Sequence, residues 1–143
     1  MDPTGVANPA GRDPSPLPRR RHARPQKRPT RTFERSHYEA GLEFVAGVDE
    51  VGRGCLAGPV LAAAVILPVD PARLRAISGV RDSKVLKADD RDRLYDRIMT
   101  VAVATGVGLA SHAFIDRYGI APASRVAMAK AVGRLGQTPE HVL

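Results

Sequence analysis

Cysteine and tryptophan are nearly absent from this chain. Its 143 residues include one cysteine, Cys55, and no tryptophan. A single cysteine cannot form a disulfide within the chain, so a small secreted scaffold held by disulfides is excluded and a reducing compartment is favoured. Taken alone, Cys55 is typical of a small apolar side chain rather than of a catalytic thiol.

Long apolar runs are missing as well. The longest, residues 60–67, is too short to span a bilayer. The first residues lack the apolar segment of a signal peptide, and their prolines interrupt the amphipathic helix of a transit peptide. These absences predict a cytoplasmic protein that does not associate with membranes, and nothing in the sequence indicates a protein partner.

Positive charge is concentrated at one end of the chain. Residues 1–36 hold nine Lys and Arg against three Asp and Glu, which is +6 of the total of +7. A uniformly basic nucleic-acid-binding domain is therefore excluded. Seven of the twelve prolines lie in the same segment, which predicts a disordered tail. The tail is either a solvated extension or a non-specific phosphate-binding arm.

The residue pattern of positions 37–143 predicts one modest α/β domain. Apolar runs, helical spacing and Gly or Pro breaks predict the order ββαβαβ. The first helix begins at Ala88 and is ended by Gly106, and Pro122 lies in the first turn of the second helix. The predicted strands cover 44–48, 60–67, 107–111 and a strand beginning at 141–143, and the predicted helices follow Ala88 and cover about 122–135.

Two adjacent carboxylates, Asp49 and Glu50, close the first predicted strand. Like charges this close disfavour ionisation of one another, and a divalent cation relieves that penalty. Carboxylate oxygens are the hard ligands that Mg²⁺ and Mn²⁺ prefer. Neighbouring strand residues point to opposite faces, so both reach one metal only if the strand breaks at Glu50. An acidic strand end followed by a flexible turn is the equally open alternative.

Two further segments carry groups suited to anions. Gly52 and Gly54 flank Arg53, which places a cation on backbone that phosphate or sugar oxygens can approach closely. Ser83 and Lys84 precede the first long helix, near its positive end. By itself this second segment is more typical of an ordinary capping turn.

Taken together, these segments resemble the ribonuclease HII family. The resemblance rests on Gly47–Gly54, Leu56–Val60 and Asp82–Leu86 in this order and spacing, and extends from about Phe44 to the last residue. Gly-Arg-Gly separates the chain from the related ribonuclease HIII enzymes, which typically carry Gly-Lys-Gly. The resemblance implies a ribonuclease H-like mixed sheet flanked by helices. Residues 37–143 would form a C-terminally incomplete catalytic domain behind the tail of residues 1–36.

The same resemblance implies an activity and residue roles. The family's enzymes are endoribonucleases that hydrolyse the RNA strand of RNA–DNA hybrids, including at single ribonucleotides embedded in DNA, with Mn²⁺ or Mg²⁺. Asp49 and Glu50 match the first two of four acidic metal-site residues. The Gly52, Arg53 and Gly54 motif matches the group that contacts the ribose 2′-hydroxyl, and Ser83 and Lys84 match positions near the nucleic-acid backbone. Two-metal hydrolysis and 2′-hydroxyl contact suit these residue types.

Departures from the family pattern temper this expectation. The family's strand that begins like residues 139–143 continues into the third acidic residue, and the fourth lies beyond it. Asp49 and Glu50 alone would supply one weak metal position, so we expect this chain to be inactive by itself. The alternative is a non-catalytic nucleic-acid-binding remnant. The strand that carries Asp49 is expected to have an open edge.

Several other positions carry smaller expectations. Lys87 stands where a capping Ser or Thr is common in the family, at a cost of about 1 kcal/mol. Gly119 replaces a usual Asn at the approach to the second helix. Asp116 does not match any of the four acidic residues. The four histidines show no metal-ligand spacing.

Overall fold

The computed structural model describes residues 29–143. Its helices are α1 (Thr32–Glu39), α2 (Pro71–Leu74), α3 (Ala88–Val101), α4 (His112–Tyr118) and α5 (Ile120–Val132). Its strands are β1 (Val45–Val51), β2 (Val60–Ile66), β3 (Ala104–Ala110) and β4 (His141–Val142). Two 3₁₀ turns cover Arg75–Ile77 and Ser83–Val85. None of these helices is long and apolar enough to cross a membrane.

The predicted tail is described only in part. Helix α1 runs through position 36, so the boundary predicted there falls inside a helix. Residues 1–28, which hold most of the predicted tail, lie outside the described residues.

One four-stranded sheet has the order β3-β2-β1-β4. Strands β1, β2 and β3 are antiparallel neighbours, and β4 runs parallel to β1. This confirms the mixed sheet flanked by helices that the family resemblance implied. The last residues do begin a strand, whose two paired positions lie beside Val45 and Ala46.

Helix α5 packs against one face of the sheet. Its alanines at 123, 127 and 131 are fully buried and share a core with Val60, Ala62 and Ala64 of β2. On β3, a Cβ atom at Gly106 or Gly108 would overlap the backbone carbonyl of Ala131 or Ala127, respectively. The small residues therefore let helix and strand backbones approach unusually closely.

The prediction that Gly106 ends the first long helix is wrong. Helix α3 ends at Val101, and Gly106 lies within β3. The chain changes direction earlier, because the Val103 N–H donates to Ile66 O at 2.8 Å and starts pairing with β2. Gly106 is a position of close packing against α5 rather than a helix stop.

The segment between β3 and α5 contains a helix that the pattern did not predict. Ser111 caps α4, since its Oγ accepts the Phe114 N–H at 3.3 Å. Gly119 separates α4 from α5 with φ of +84°, a conformation that glycine adopts at little cost. Pro122 does lie in the first turn of α5, although that helix covers Ile120–Val132 rather than about 122–135.

Glu140 joins β4 to the start of β1. Its Oε2 accepts the N–H groups of Glu43 at 2.7 Å and Phe44 at 2.8 Å. Leu143 extends the joint by donating its N–H to Ala46 O at 2.8 Å. Within residues 29–143, the part of β1 from Asp49 to Val51 has no strand paired on this side, so the predicted open edge is limited to those residues.

Candidate nucleic-acid site

The acidic pair lies inside a continuous strand. Pairing of β1 with β2 continues to Val51 opposite Leu61, so the break at Glu50 that a shared metal position would require does not occur. The turn comes one residue later, at Gly52, which has φ of +103°. Because pairing persists through Val51, the side chains of Asp49 and Glu50 point to opposite faces of the sheet.

The two carboxylates consequently have different surroundings. Glu50 lies opposite Ala62, on the face that packs against α5, and its side chain is 13% exposed. Its Oε1 accepts a hydrogen bond from Arg53 Nη1 at 3.0 Å. Asp49 is exposed on the other face, where its Oδ1 accepts the Glu50 N–H at 2.8 Å.

The carboxylates of Asp49 and Glu50 are the candidate ligands for a metal ion at this loop. Their oxygens are of the type that Mg²⁺ and Mn²⁺ prefer. Among residues 29–143, however, no group of three or more His, Cys, Asp or Glu side chains could hold a metal ion. The described carboxylates have the right chemistry, but they are too few and too divergent to form a metal site by themselves.

The loop after β1 combines a tight turn with an open surface. A Cβ atom at Gly52 would lie 2.8 Å from Pro59 O, whereas one at Gly54 would meet no atom within 4 Å. The Cys55 N–H donates to Gly52 O at 3.2 Å and closes the turn. Arg53 stands between the glycines with its side chain 54% exposed. The backbone around Gly54 is therefore accessible to a ligand.

The turn that carries Ser83 and Lys84 is held by two neighbours. Asp82 Oδ1 accepts the Lys84 N–H at 3.0 Å, which is the capping arrangement that the sequence favoured. Arg91 of α3 donates from Nη1 to Leu86 O at 2.8 Å and to Ser83 O at 3.4 Å. These contacts leave the Ser83 and Lys84 side chains exposed.

Arg91 is a residue that sequence reasoning missed. It belongs to the polar side of an amphipathic helix, and only the fold shows that it reaches back to the preceding turn. The structure brings Glu50 and Arg53 together at one loop, whereas the side chain of Asp49 lies on the opposite face of the sheet. Within residues 29–143, no hydrogen bond or ion pair joins that loop to the Ser83–Val85 turn.

Comparison with known proteins identifies the family. The family model for ribonuclease HII matches residues 46–143, which include the loop, the turn and the whole sheet after its first residue. The chain belongs to the ribonuclease HII family. This membership confirms the resemblance that the Gly-Arg-Gly and Asp-Ser-Lys segments carried.

Ribonuclease HII proteins of two Geobacillus species are similar over most of the chain. The protein from Geobacillus thermodenitrificans is 51% identical over 111 residues, 78% of this chain and 41% of the relative. The protein from Geobacillus kaustophilus is 49% identical over 125 residues, 87% of this chain and 46% of the relative. The chain thus spans less than half the length of these ribonuclease HII relatives.

A solved archaeal structure shares the fold. The crystal structure of ribonuclease H2 from Pyrococcus horikoshii superimposes with a TM-score of 0.60 at 30% sequence identity. The match covers 68% of this chain and 47% of the archaeal chain. The architecture of the described residues is therefore that of a ribonuclease HII-type fold.

Proposed function

We propose that this chain is the hybrid-recognising part of a ribonuclease HII-type endoribonuclease and that, by itself, it binds substrate without cutting it. The substrates are RNA–DNA hybrids and DNA that contains single ribonucleotides. The observation that carries the proposal is the accessible backbone at Gly54 next to the exposed Arg53, within the segment that matches the family.

Recognition of RNA requires a contact to the ribose 2′-hydroxyl, because this group distinguishes RNA from DNA at a given position. Backbone groups at Gly54 are free of side-chain obstruction, and Arg53 supplies a cation beside them. The exposed hydroxyl of Ser83 and ammonium of Lys84 suit backbone phosphates, which position a duplex without reading its sequence. Two separate segments therefore divide sugar recognition from phosphate binding.

Hydrolysis requires several carboxylates around a metal ion, and residues 29–143 do not provide such a group. Mn²⁺ or Mg²⁺, held by several carboxylates, would activate water and stabilise the leaving oxygen in an enzyme of this type. Asp49 and Glu50 would contribute to that site, but their side chains diverge, and Glu50 is paired with Arg53. We therefore expect binding without cleavage from the 143-residue chain.

Binding can be measured by fluorescence anisotropy with two labelled duplexes of the same sequence, one all-DNA and one with a single ribonucleotide. We expect tighter binding of the ribonucleotide duplex. Gly54→Ala should fold normally, because its Cβ meets no atom within 4 Å, and should lose most of this preference. Gly136→Ala, another glycine with open space around its Cα, is the matched control and should keep it.

Equal affinity of the parent chain for the two duplexes would contradict the proposal. Retention of the full preference by Gly54→Ala would show that recognition does not use this part of the loop.

Cleavage is tested separately with the same ribonucleotide duplex in Mn²⁺ or Mg²⁺, resolved on a denaturing gel. No product is expected from the parent chain. If product forms, and Asp49→Ala abolishes it, the chain is an active nuclease and the expectation of inactivity is wrong.

A further inference from the structure

A second cluster of cationic side chains lies away from the Gly52–Gly54 loop. It surrounds a pocket of about 210 Å³ between the segment 79–86 and helix α3. We call it the arginine pocket, and it is bounded by Arg81, Asp90, Arg93, Leu94 and Arg97.

The pocket follows from the spacing of residues on α3. Three residues follow Asp90 at helical spacings of three, four and seven positions: Arg93, Leu94 and Arg97. These spacings place all four residues on one face of the helix. Leu94 is buried and lines the pocket together with Gly79. Arg81 lines it from the segment that precedes α3. Arginines from two segments of the chain therefore border one concave surface.

The charge in the pocket is only partly neutralised. Asp90 is ion-paired with Arg93, its neighbour one turn along the helix. Within residues 29–143, neither Arg81 nor Arg97 has an acidic partner within 4.0 Å. The lining residues keep a surplus of two positive charges, and Leu86 and Leu94 supply the apolar part of the lining. Arginine forks of this kind match the oxygens of a phosphate group.

The position of the pocket favours nucleic acid as the source of that phosphate. Arg81 lies two residues before Ser83. Arg91 of the same helix α3 hydrogen-bonds the carbonyl oxygens of Ser83 and Leu86, and Leu86 lines the pocket. The pocket and the Ser83–Val85 turn are thus parts of one continuous surface.

We propose that the arginine pocket binds a backbone phosphate of the duplex that the Ser83–Val85 turn contacts. This inference rests on the proposed function and deepens it by adding a contact outside the 2′-hydroxyl site. Because a phosphate carries no information about the sugar, the pocket contributes equally to the binding of DNA and of RNA–DNA hybrids.

The test compares two double variants of the full chain. Arg81→Gln/Arg97→Gln removes the two pocket charges that have no acidic partner among residues 29–143. Arg75→Gln/Arg125→Gln removes two exposed arginines from the Arg75–Ile77 turn and from α5 and serves as the control. Each protein is titrated against the all-DNA and the single-ribonucleotide duplex at several salt concentrations.

Loss of the pocket should weaken the binding of both duplexes by the same factor. The slope of log affinity against log salt should become shallower by about 0.9, the value for one lost phosphate contact. The control variant should keep the parent slope, because neither Arg75 nor Arg125 lines the pocket and no phosphate contact is removed.

The outcomes distinguish failure of the pocket from failure of the proposed function. If the pocket variant and the control have the same slope of log affinity against log salt, the proposal of a phosphate site is overturned, whether or not the parent chain prefers the ribonucleotide duplex. An acidic protein segment would then be the other class of ligand for the pocket. A parent chain without preference for the ribonucleotide duplex overturns the proposed function, while a shallower slope on both duplexes still supports the pocket. A parent chain that binds neither duplex overturns both.

Discussion

Gly52 and Gly54 occupy the same short motif but meet different physical constraints. Gly52 has a positive φ, and a Cβ there would lie only 2.8 Å from a backbone oxygen, so glycine is required for the turn itself. Gly54 has neither constraint, and its small size leaves the loop surface open. A glycine in a motif therefore indicates a function only where the fold itself does not demand one.

At the start of α3, Lys87 is the N-cap residue and makes no side-chain capping bond. Replacing it with serine, Lys87→Ser, should satisfy a free N–H of the first turn and remove a cation from the positive helix end. We expect a gain of about 1 kcal/mol in the free energy of unfolding, measured in urea.

Ser111→Ala is the reciprocal control, because Ser111 does cap α4. It should lose about 1 kcal/mol. An unchanged stability of Lys87→Ser would mean that the start of α3 frays in the folded chain.

At the level of elements, the contact between α5 and β3 depends on small side chains on both sides. Alanines at every fourth position of α5 face glycines at every second position of β3. These periods are those of a helix and of a strand, so the two surfaces fit along their length.

Gly108→Ala should disrupt this contact. Its new methyl group would overlap the Ala127 carbonyl, so α5 must move away from the sheet. We expect a loss of about 3 kcal/mol or more, at the upper end for overpacked cores, in urea unfolding. Gly47→Ala in β1 is the control, since a Cβ there meets no atom within 4 Å. Equal stability of the two variants would mean that the helix packs less closely than described.

The joint between β4 and β1 depends on the charge of Glu140. Hydrogen bonds from the N–H groups of Phe44 and Glu43 hold the pKa of its carboxyl group below the ordinary value of 4.5. A depressed pKa in the folded state stabilises the fold fully above the unfolded-state pKa, and that stabilisation is lost as the pH falls through the folded-state value.

Glu140→Gln should therefore be less stable than the parent chain at neutral pH, and the difference should shrink below about pH 4.5. Thermal unfolding between pH 7 and pH 3 measures it. Asp116→Asn, an exposed change on α4, is the control and should show no such convergence. A stability difference that is constant over this range would contradict the role of the Glu140 charge.

For the whole molecule, β3 is an exposed edge of the sheet among residues 29–143, and aggregation at this edge is opposed by one side chain of α5 and one that follows the helix. Lys130 Nζ donates to Leu109 O at 3.0 Å, and Arg134 Nη1 donates to Val107 O at 2.8 Å. These cations occupy carbonyl groups that another strand would otherwise pair with. Val107 and Leu109 themselves are exposed on the face away from α5.

Lys130→Met/Arg134→Met should free this edge and promote association between copies of the chain. Sedimentation velocity at micromolar concentrations should show dimers or larger species that are absent from the parent. Arg75→Met/Arg125→Met removes the same charge elsewhere and should remain as monomeric as the parent. Equal association of the two variants would assign the effect to lost charge rather than to the edge.

Local features of the chain could be anticipated from its residues. The start of α3 at Ala88, the place of Pro122 in α5 and the final strand all follow from short-range rules. So does the family, because the motif around Asp49 and Arg53 is a run of consecutive residues. The prediction at Gly106 was wrong because a glycine that lets a helix pack closely on a strand cannot be told, in sequence, from a glycine that ends a helix.

Amino-acid order was sufficient to predict the family and the α/β class, which are confirmed, and to propose the residues of the candidate site. Pairing between segments that are distant in the sequence decided where the side chains point. Pairing of β1 with β2 as far as Val51 keeps Asp49 and Glu50 on opposite faces. Glu140 contacts residues nearly a hundred positions earlier, and Arg81 and Arg97 line the same pocket. Motifs and helix caps depend on neighbours along the chain, whereas the directions of side chains depend on contacts that form only when remote segments pack.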